Sequence, residues 1–203
     1  MRSTALALAL LVATPALASH PGENLNQVMA AKEAAFEPVT SRPAPAVEWK
    51  DDTGDVVGLK ELHGKIVAVS FVPAECGAPC ANQQAKLAET LASVNASPMR
   101  EMVQFVTLND GEAGTPTEFE NWTVAQASNG KPMGDLVAAF AAISDRTGGA
   151  PMIHLLDRTG QQVGIFHGSE FVPLNLILYI NGLTNAHPHP EPGMFQRLFG
   201  WLL

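Results

Sequence analysis

Apolar residues recur along this chain with two distinct periods. Continuous apolar runs rich in β-branched residues occupy 66–72 (IVAVSFV) and 102–108 (MVQFVTL). Runs of that length read as strands buried on both faces of a sheet. Between them, Leu87, Leu91 and Val94 recur at i, i+4 and i+7 within 79–96, which predicts a helix with one apolar face. Residues 152–157 (MIHLLD) and 162–167 read as two strands joined by a tight turn at Arg158-Thr159-Gly160. Residues 171–183 predict a final helix, apolar on most sides. Nearer the N-terminus, 47–49 and the polar turn Asp51–Asp55 predict strand, turn, strand. Leu25, Val28, Met29 and Phe36 stand near helical spacing within 23–37, and 117–127 and 134–144 read as two further helices. The stretch 38–45 (PVTSRPAP) reads as a stiff extended linker, since each proline fixes φ and removes a backbone donor.

A strand that feeds a helix and returns to a strand implies a right-handed parallel unit, and the turn at Gly160 implies an antiparallel edge. The order therefore predicts an α/β fold with a mixed central sheet flanked by helices. A chain of 203 residues holds one domain of ordinary size. The organisation expected is a signal segment over 1–18, a helix and Pro-rich linker over 19–45, the domain proper over 46–184, and a separate tail over 185–203.

Composition narrows the function classes. A hydrophobic share of 46% argues against intrinsic disorder. The net charge is −8 with no basic cluster, and a nucleic-acid binder needs a cationic face to displace counterions from phosphates, so that class is excluded. No apolar run reaches the roughly 18 residues that a membrane-spanning helix requires. Residues 1–18 (MRSTALALALLVATPALA) place one positive charge, Arg2, before an apolar stretch broken by Pro15 and an A-x-A site at Ala16-Leu17-Ala18. That is the layout of a cleaved secretory signal, which directs the chain to an oxidising compartment; the expected location is the periplasm. The tail differs in character. Pro188, Pro190 and Pro192 form a rigid spacer, and Met194–Leu203 is dominated by large apolar residues, which read either as a segment docked on the domain or as a peripheral membrane contact.

The two cysteines, Cys76 and Cys80, carry the candidate chemistry. A buried strand ends at Val72, a short loop holds Cys76, and a helix begins near Pro79. A thiol at a helix N-terminus meets the positive end of the macrodipole, which favours the thiolate. Thiolates attack disulfides and bind soft metals. Three intervening residues let the sulfurs close a disulfide or offer two ligands to one Cu(I); a structural staple is a poorer account, because so short a loop constrains the unfolded chain little. Gly148-Gly149-Ala150-Pro151 opens the 152–157 strand. In a fold of this order that loop lies beside the cysteine-bearing helix N-terminus, and Pro151, expected in the cis form, would present open backbone next to the sulfurs.

The segment Gly64–Cys80 (GKIVAVSFVPAECGAPC) resembles the core of the thioredoxin-like redoxins. The preceding stretch from Pro43, with Asp51-Asp52-Thr53-Gly54 and Leu62-His63-Gly64-Lys65, resembles their lead-in. The C-x3-C spacing is similar to that of the Sco/SenC group, exported proteins that deliver copper to the CuA site of cytochrome c oxidase. The resemblance spans about 44–168. It implies a thioredoxin-like fold, with Cys76 and Cys80 as the redox pair and as copper ligands. It also implies a protein client: a cytochrome c oxidase subunit or another periplasmic thiol protein. In the Sco pattern a third ligand, a histidine, stands at the position that falls here on about Gly149. GGAPMIHLLDRTG resembles instead the TlpA/ResA-type thiol–disulfide oxidoreductases, which implies dithiol exchange without a stable metal. His154 is the nearest histidine in sequence to the missing ligand and is the candidate nitrogen donor, imidazole being a good copper ligand. His20, at the expected mature N-terminus, and the His187/His189 pair of the tail are weaker candidates. Protein recovered from the cell envelope should begin at Ser19 or within two residues of it; intact-mass measurement showing a retained Met1 would contradict this.

Overall fold

The computed structural model describes residues 24–51, 53–110, 118–127, 130–148 and 151–186. The signal-like segment, His20, Gly149 and the tail with His187 and His189 lie outside them. In chain order the elements are α1 (Leu25–Lys32), β1 (Phe36–Pro43), β2 (Glu48–Lys50), β3 (Val56–Gly58), β4 (Ile66–Val72), α2 (Ala78–Asn95), β5 (Val103–Asn109), β6 (Trp122–Ala125), α3 (Met133–Ala141), β7 (Met152–Leu156), β8 (Gln161–His167) and α4 (Pro173–Asn185). Six strands form one sheet in the order β1-β8-β7-β4-β5-β6, and β2 with β3 makes a separate hairpin. β4 runs parallel to β5, and β5 to β6; β7 lies antiparallel to β4, and β8 pairs antiparallel with both β7 and β1.

The continuous apolar runs of β4 and β5 follow from burial on both faces. Side chains alternate across a strand. Ile66 and Ala68 face a layer formed by α2 and α4, among Leu87, Leu91, Val94, Leu176 and Ile180. Val67, Val69 and Phe71 face the opposite layer, where Leu136 and Phe140 of α3 meet Trp49 of the hairpin. Each large side chain so buried contributes about 1.5–3 kcal/mol. This is a mixed sheet covered by helices on both sides, as the order of apolar runs implied.

Two segments differ from the sequence expectation. Residues 38–43, read as linker, belong to edge strand β1, whose Phe36 and Glu37 are buried and whose register against β8 shifts between Pro38 and Arg42. Prolines are tolerated there because an edge strand leaves one side without a ladder partner. The domain therefore begins before residue 46, and α1 packs on it through Met29. Residues 122–125, read as part of a helix, form β6. Trp122, Thr123 and Val124 suit a pleated surface, and pairing with β5 overrides an ambiguous local pattern. Two turns share one chemistry. Asp51 Oδ1 accepts the Thr53 N–H (2.9 Å) and the Asp55 N–H (3.0 Å), as Asp157 Oδ1 accepts those of Thr159 (2.8 Å) and Gln161 (3.0 Å).

Gly164 of β8 marks the tightest place in the core. A Cβ there would stand 2.7 Å from both Phe36 Cε2 and Tyr179 Oη. The Tyr179 hydroxyl is held by Asn26 Oδ1 at 2.6 Å, so it does not yield freely. Gly164→Ala is expected to cost about 1–3 kcal/mol through overpacking, read as a lower midpoint in chemical denaturation.

Candidate functional site

β4 ends at Val72, beside Asn109 of β5. The chain then turns, with the Cys76 N–H donating to the Pro73 carbonyl (3.0 Å), and reaches Gly77 at φ 60° and ψ −137°. That conformation belongs to glycine. It is the device that swings the chain from the loop into α2. Pro79 occupies the first turn of α2, where a missing N–H costs nothing.

Cys76 and Cys80 are joined as a disulfide, with their Cα atoms 5.7 Å apart. The two sulfurs occupy different environments. Cys76 is half-buried in the loop; Cys80 is 1% exposed, inside the first turn of the helix. Cys80 Sγ lies 3.7 Å from the Phe71 carbonyl oxygen. Of the two sulfurs, that of Cys76 is the more accessible from solvent.

The start of α2 is fastened to the sheet by a closed ring of hydrogen bonds. Gln84 Nε2 donates to Ser70 Oγ (3.2 Å), and Thr107 Oγ1 donates to Gln84 Oε1 (3.0 Å). With the Thr107 proton so committed, Ser70 Oγ is the donor in its 2.9 Å contact with Thr107 Oγ1. Trp122 Nε1 adds a fourth bond, to Thr107 Oγ1 (3.0 Å).

Pro151 is half-buried at the head of β7. Its carbonyl accepts the Gly168 N–H (2.7 Å), and the Gly168 carbonyl accepts Gln83 Nε2 of α2 (2.9 Å). Two hydrogen bonds thus connect Pro151 to the residue one helical turn beyond Cys80. The Ala150–Pro151 bond involves Ala150, which lies outside the described residues.

Two buried carboxylates hold the surrounding loops. Glu37 of β1 accepts from Ser144 Oγ (2.6 Å) and the Asp145 N–H (2.7 Å) and pairs with His167 Nε2 (2.6 Å), so it ties down the segment that leads towards Pro151. Burial pushes this carboxyl up, but Ser144, Asp145 and His167 together outweigh it and hold it below the ordinary carboxylate range. Glu33 accepts from the Val172 N–H (2.9 Å) and Asn175 Nδ2 (2.9 Å) and so pins the start of α4. Burial raises its carboxyl too, and again its hydrogen bonds, first that of Asn175, win and lower it. Gln83, Glu33 and Glu37 did not stand out in the sequence. The legible signal for Gln83 was a polar residue within the buried stripe of α2, four positions before Leu87.

His154 is not brought to the cysteines, and this corrects the expectation of a third ligand there. It is 1% exposed on β7, opposite Val69 of β4, on the face covered by α3; α2 and Cys80 cover the other face. Its ring packs 5.3 Å from that of Phe140, and Nδ1 accepts from Gln162 Nε2 (2.9 Å). Burial, with a smaller contribution from His167, pushes its pKa down to about 3. Among the described residues, no group of three or more His, Cys, Asp or Glu side chains could hold a metal ion. No helix among them is long and apolar enough to cross a membrane.

No protein-family model and no curated protein sequence matches this chain. Solved structures do. BsSco, a member of the Sco family of cytochrome c oxidase assembly proteins, aligns with a TM-score of 0.56 at 16% identity over 74% of this chain and 98% of its own. A SCO1/SenC family lipoprotein from Bacillus anthracis str. Ames aligns with a TM-score of 0.52 at 18% identity over 75% of this chain and 98% of its own. A thiol:disulfide interchange protein from Bacteroides sp. aligns with a TM-score of 0.48 at 20% identity, over 75% and 94%. The fold is thioredoxin-like, and its structural neighbours include Sco-family proteins.

The buried imidazole makes a prediction about stability. Unfolded, His154 takes up a proton as pH falls through about 6.5; folded, it stays neutral down to about 3. The unfolded state binds more protons in that window, so stability falls with falling pH, by up to about 1.4 kcal/mol per pH unit. Unfolding free energies measured from pH 7 to 5 should show this slope in the wild type and a shallower one in His154→Leu. Parallel slopes would contradict the assignment.

Proposed function

We propose that this chain is an exported, Sco-like thioredoxin-fold protein that exchanges electrons with protein thiols through Cys76 and Cys80. The observation that carries the reading is the asymmetry of the disulfide: one sulfur half-exposed in a loop, the other buried at a helix N-terminus beside the Phe71 carbonyl. A client thiolate attacks Cys76 Sγ, forming a mixed disulfide, and Cys80 leaves as a thiolate that takes up a proton. A second client thiolate then attacks the client sulfur of that mixed disulfide and releases Cys76. The client dithiol has lost two electrons and two protons; the Cys76–Cys80 pair has gained them. Reduction of a client disulfide is the same path reversed, with Cys76 attacking and Cys80 resolving. The layout of residues 1–18 supports placing this chemistry in the periplasm.

A second reading, delivery of copper towards an oxidase, has its own support. Reduced, the pair offers two thiolates close enough to have bonded, a donor set that suits Cu(I) as cargo. The likeness to Sco-family structures favours it, and the absence of a nearby third donor among the described residues ranks it second. In that reading Cys76 and Cys80 hold the ion, and His154 does not.

Single-cysteine variants separate the roles. Cys80→Ser should trap a stable mixed disulfide with an oxidised client, its Cys76 thiolate attacking the client disulfide with no Cys80 to resolve the product, and Cys76→Ser should trap little. Equal trapping would contradict the assignment of Cys76 as the exchanging sulfur. Anaerobic Cu(I) titration of the reduced wild-type chain against a chelator ranks the two readings. Failure to hold Cu(I) while client thiols are still oxidised supports exchange. Tight one-to-one binding that His154→Leu leaves unchanged supports a two-sulfur copper site.

A further inference from the structure

A cavity of about 340 Å³ opens at the pole of the sheet away from the cysteines. β4 begins at that pole, where the Gly64 N–H donates to the carbonyl of Arg158 (2.8 Å) in the turn between β7 and β8. Pro43, Ala44, Pro45, Ala46 and Leu59 give the cavity an apolar wall, and Thr159 and Gly160 of that turn line it as well. The wall is fixed by the backbone: the Ala44 N–H donates to the Gly160 carbonyl (3.1 Å), and the Leu59 N–H to the Val47 carbonyl (3.4 Å). The volume falls within the roughly 300–1,000 Å³ of clefts that hold a ligand. Pro43 and Ala46 are apolar yet exposed there.

The chain itself supplies an occupant. α4 ends at Asn185, and the Thr184 carbonyl beside that end accepts from the Arg158 guanidinium. The chain therefore leaves α4 next to the turn whose following residues, Thr159 and Gly160, line the cavity. Residues 187–193 (HPHPEPG) carry proline at every second place, and residues 194–203 (MFQRLFGWLL) hold seven large apolar side chains. We propose that residues 194–203 cross this pole and seat in the cavity walled by Pro43–Ala46 and Leu59. Reach allows it. Seven residues extend about 22 Å in the form that proline favours. α4 and the β2–β3 hairpin cover opposite faces of the sheet, and packed layers lie about 10 Å apart, so the crossing takes about 20 Å. Apolar side chains left in water forfeit the hydrophobic gain of burial. A short tether raises the effective concentration of the segment to about millimolar, so even a weak site is filled from within the molecule. Charge disfavours an anionic membrane as the partner. Residues 187–203 hold one Arg and one Glu, and the chain carries a net −8, whereas such a surface attracts clustered cations.

Photo-crosslinking identifies the occupant. The full chain with Phe199→p-benzoylphenylalanine is irradiated at low micromolar concentration, with and without phosphatidylcholine vesicles, and the products are mapped by mass spectrometry. The label should join to residues 43–48 or 59–63 of its own molecule in both conditions. Joining to α4 near the exposed Leu174 and Leu178, to a second copy or to lipid, or no joining, would overturn the proposal. Ala46→Trp places a bulky side chain on the cavity wall at an exposed position and should lower the yield about tenfold. Leu174→Ser with Leu178→Ser should leave the yield unchanged; thermal unfolding verifies that each variant folds. A second measurement leaves the cavity wall as it is. His63 also lines the cavity, so aromatic rings docked there shift its imidazole proton resonances. Phe195→Ser, Phe199→Ser and Trp201→Ser together should move the His63 signals and leave those of buried His154 in place. Unmoved His63 signals would overturn the proposal.

Discussion

The hydrogen-bonded ring of Gln84, Ser70 and Thr107 fixes where α2 begins over the sheet, and the site is arranged around that point. Apolar packing of Leu87, Leu91 and Val94 would hold the helix against β4 and β5 yet allow it to slide, because hydrophobic contact has no direction. Hydrogen bonds do have direction. Three side chains from three elements satisfy one another only at one height of the helix above the strands. That height sets Cys80 against the Phe71 carbonyl and leaves Cys76 in the loop beyond. Polar residues buried beneath a helix are a stability risk when half-satisfied. Here the ring closes, and Trp122 adds a donor from edge strand β6.

The loops before β7 and after β8 are held by charge as well as by the buried ring of Phe171. Glu33 caps the end of α1 and Glu37 stands at the start of β1, and each reaches across to a segment far away in sequence. Both carboxyls keep their charge because backbone and side-chain donors surround them. Lys86 of α2 adds a bond to the Phe171 carbonyl (2.9 Å), on the same segment that Glu33 pins. The end of α1 and the start of edge strand β1 thus carry the anchors of the loops after β8 and before β7.

The fold was legible in the sequence wherever burial dictates composition. The runs 66–72 and 102–108 are apolar at nearly every position because both faces are covered, and the structure places strands there. Strand β1 was not legible, since Pro38 and Pro43 mimic a linker; only the long-range partner β8 makes the segment a strand. β6 failed for a similar reason, its four residues being too short to show a period of two. The cysteine pair was legible because strand, loop and helix N-terminus are local. His154 was not, because sequence distance from a turn does not tell which face of a sheet a side chain occupies; its pairing with Val69 decides that. Glu33, Glu37 and Gln83 act through partners that local sequence does not specify.

The packing of α1 against α4 has a consequence for how the molecule is held. Leu25 lies so close to Gly182 that a Cβ on the glycine would come 2.5 Å from Leu25 Cδ1. Ala186 follows one helical turn later, and Arg158, from the turn between β7 and β8, donates to the Thr184 carbonyl nearby. That turn lies at the pole of the sheet away from Val72 and the cysteine loop, because β7 runs antiparallel to β4. Both ends of the described domain therefore leave it side by side, from the pole opposite Cys76. A tether or fusion joined at either end would act as a stalk, with the loop that holds Cys76 at the far tip.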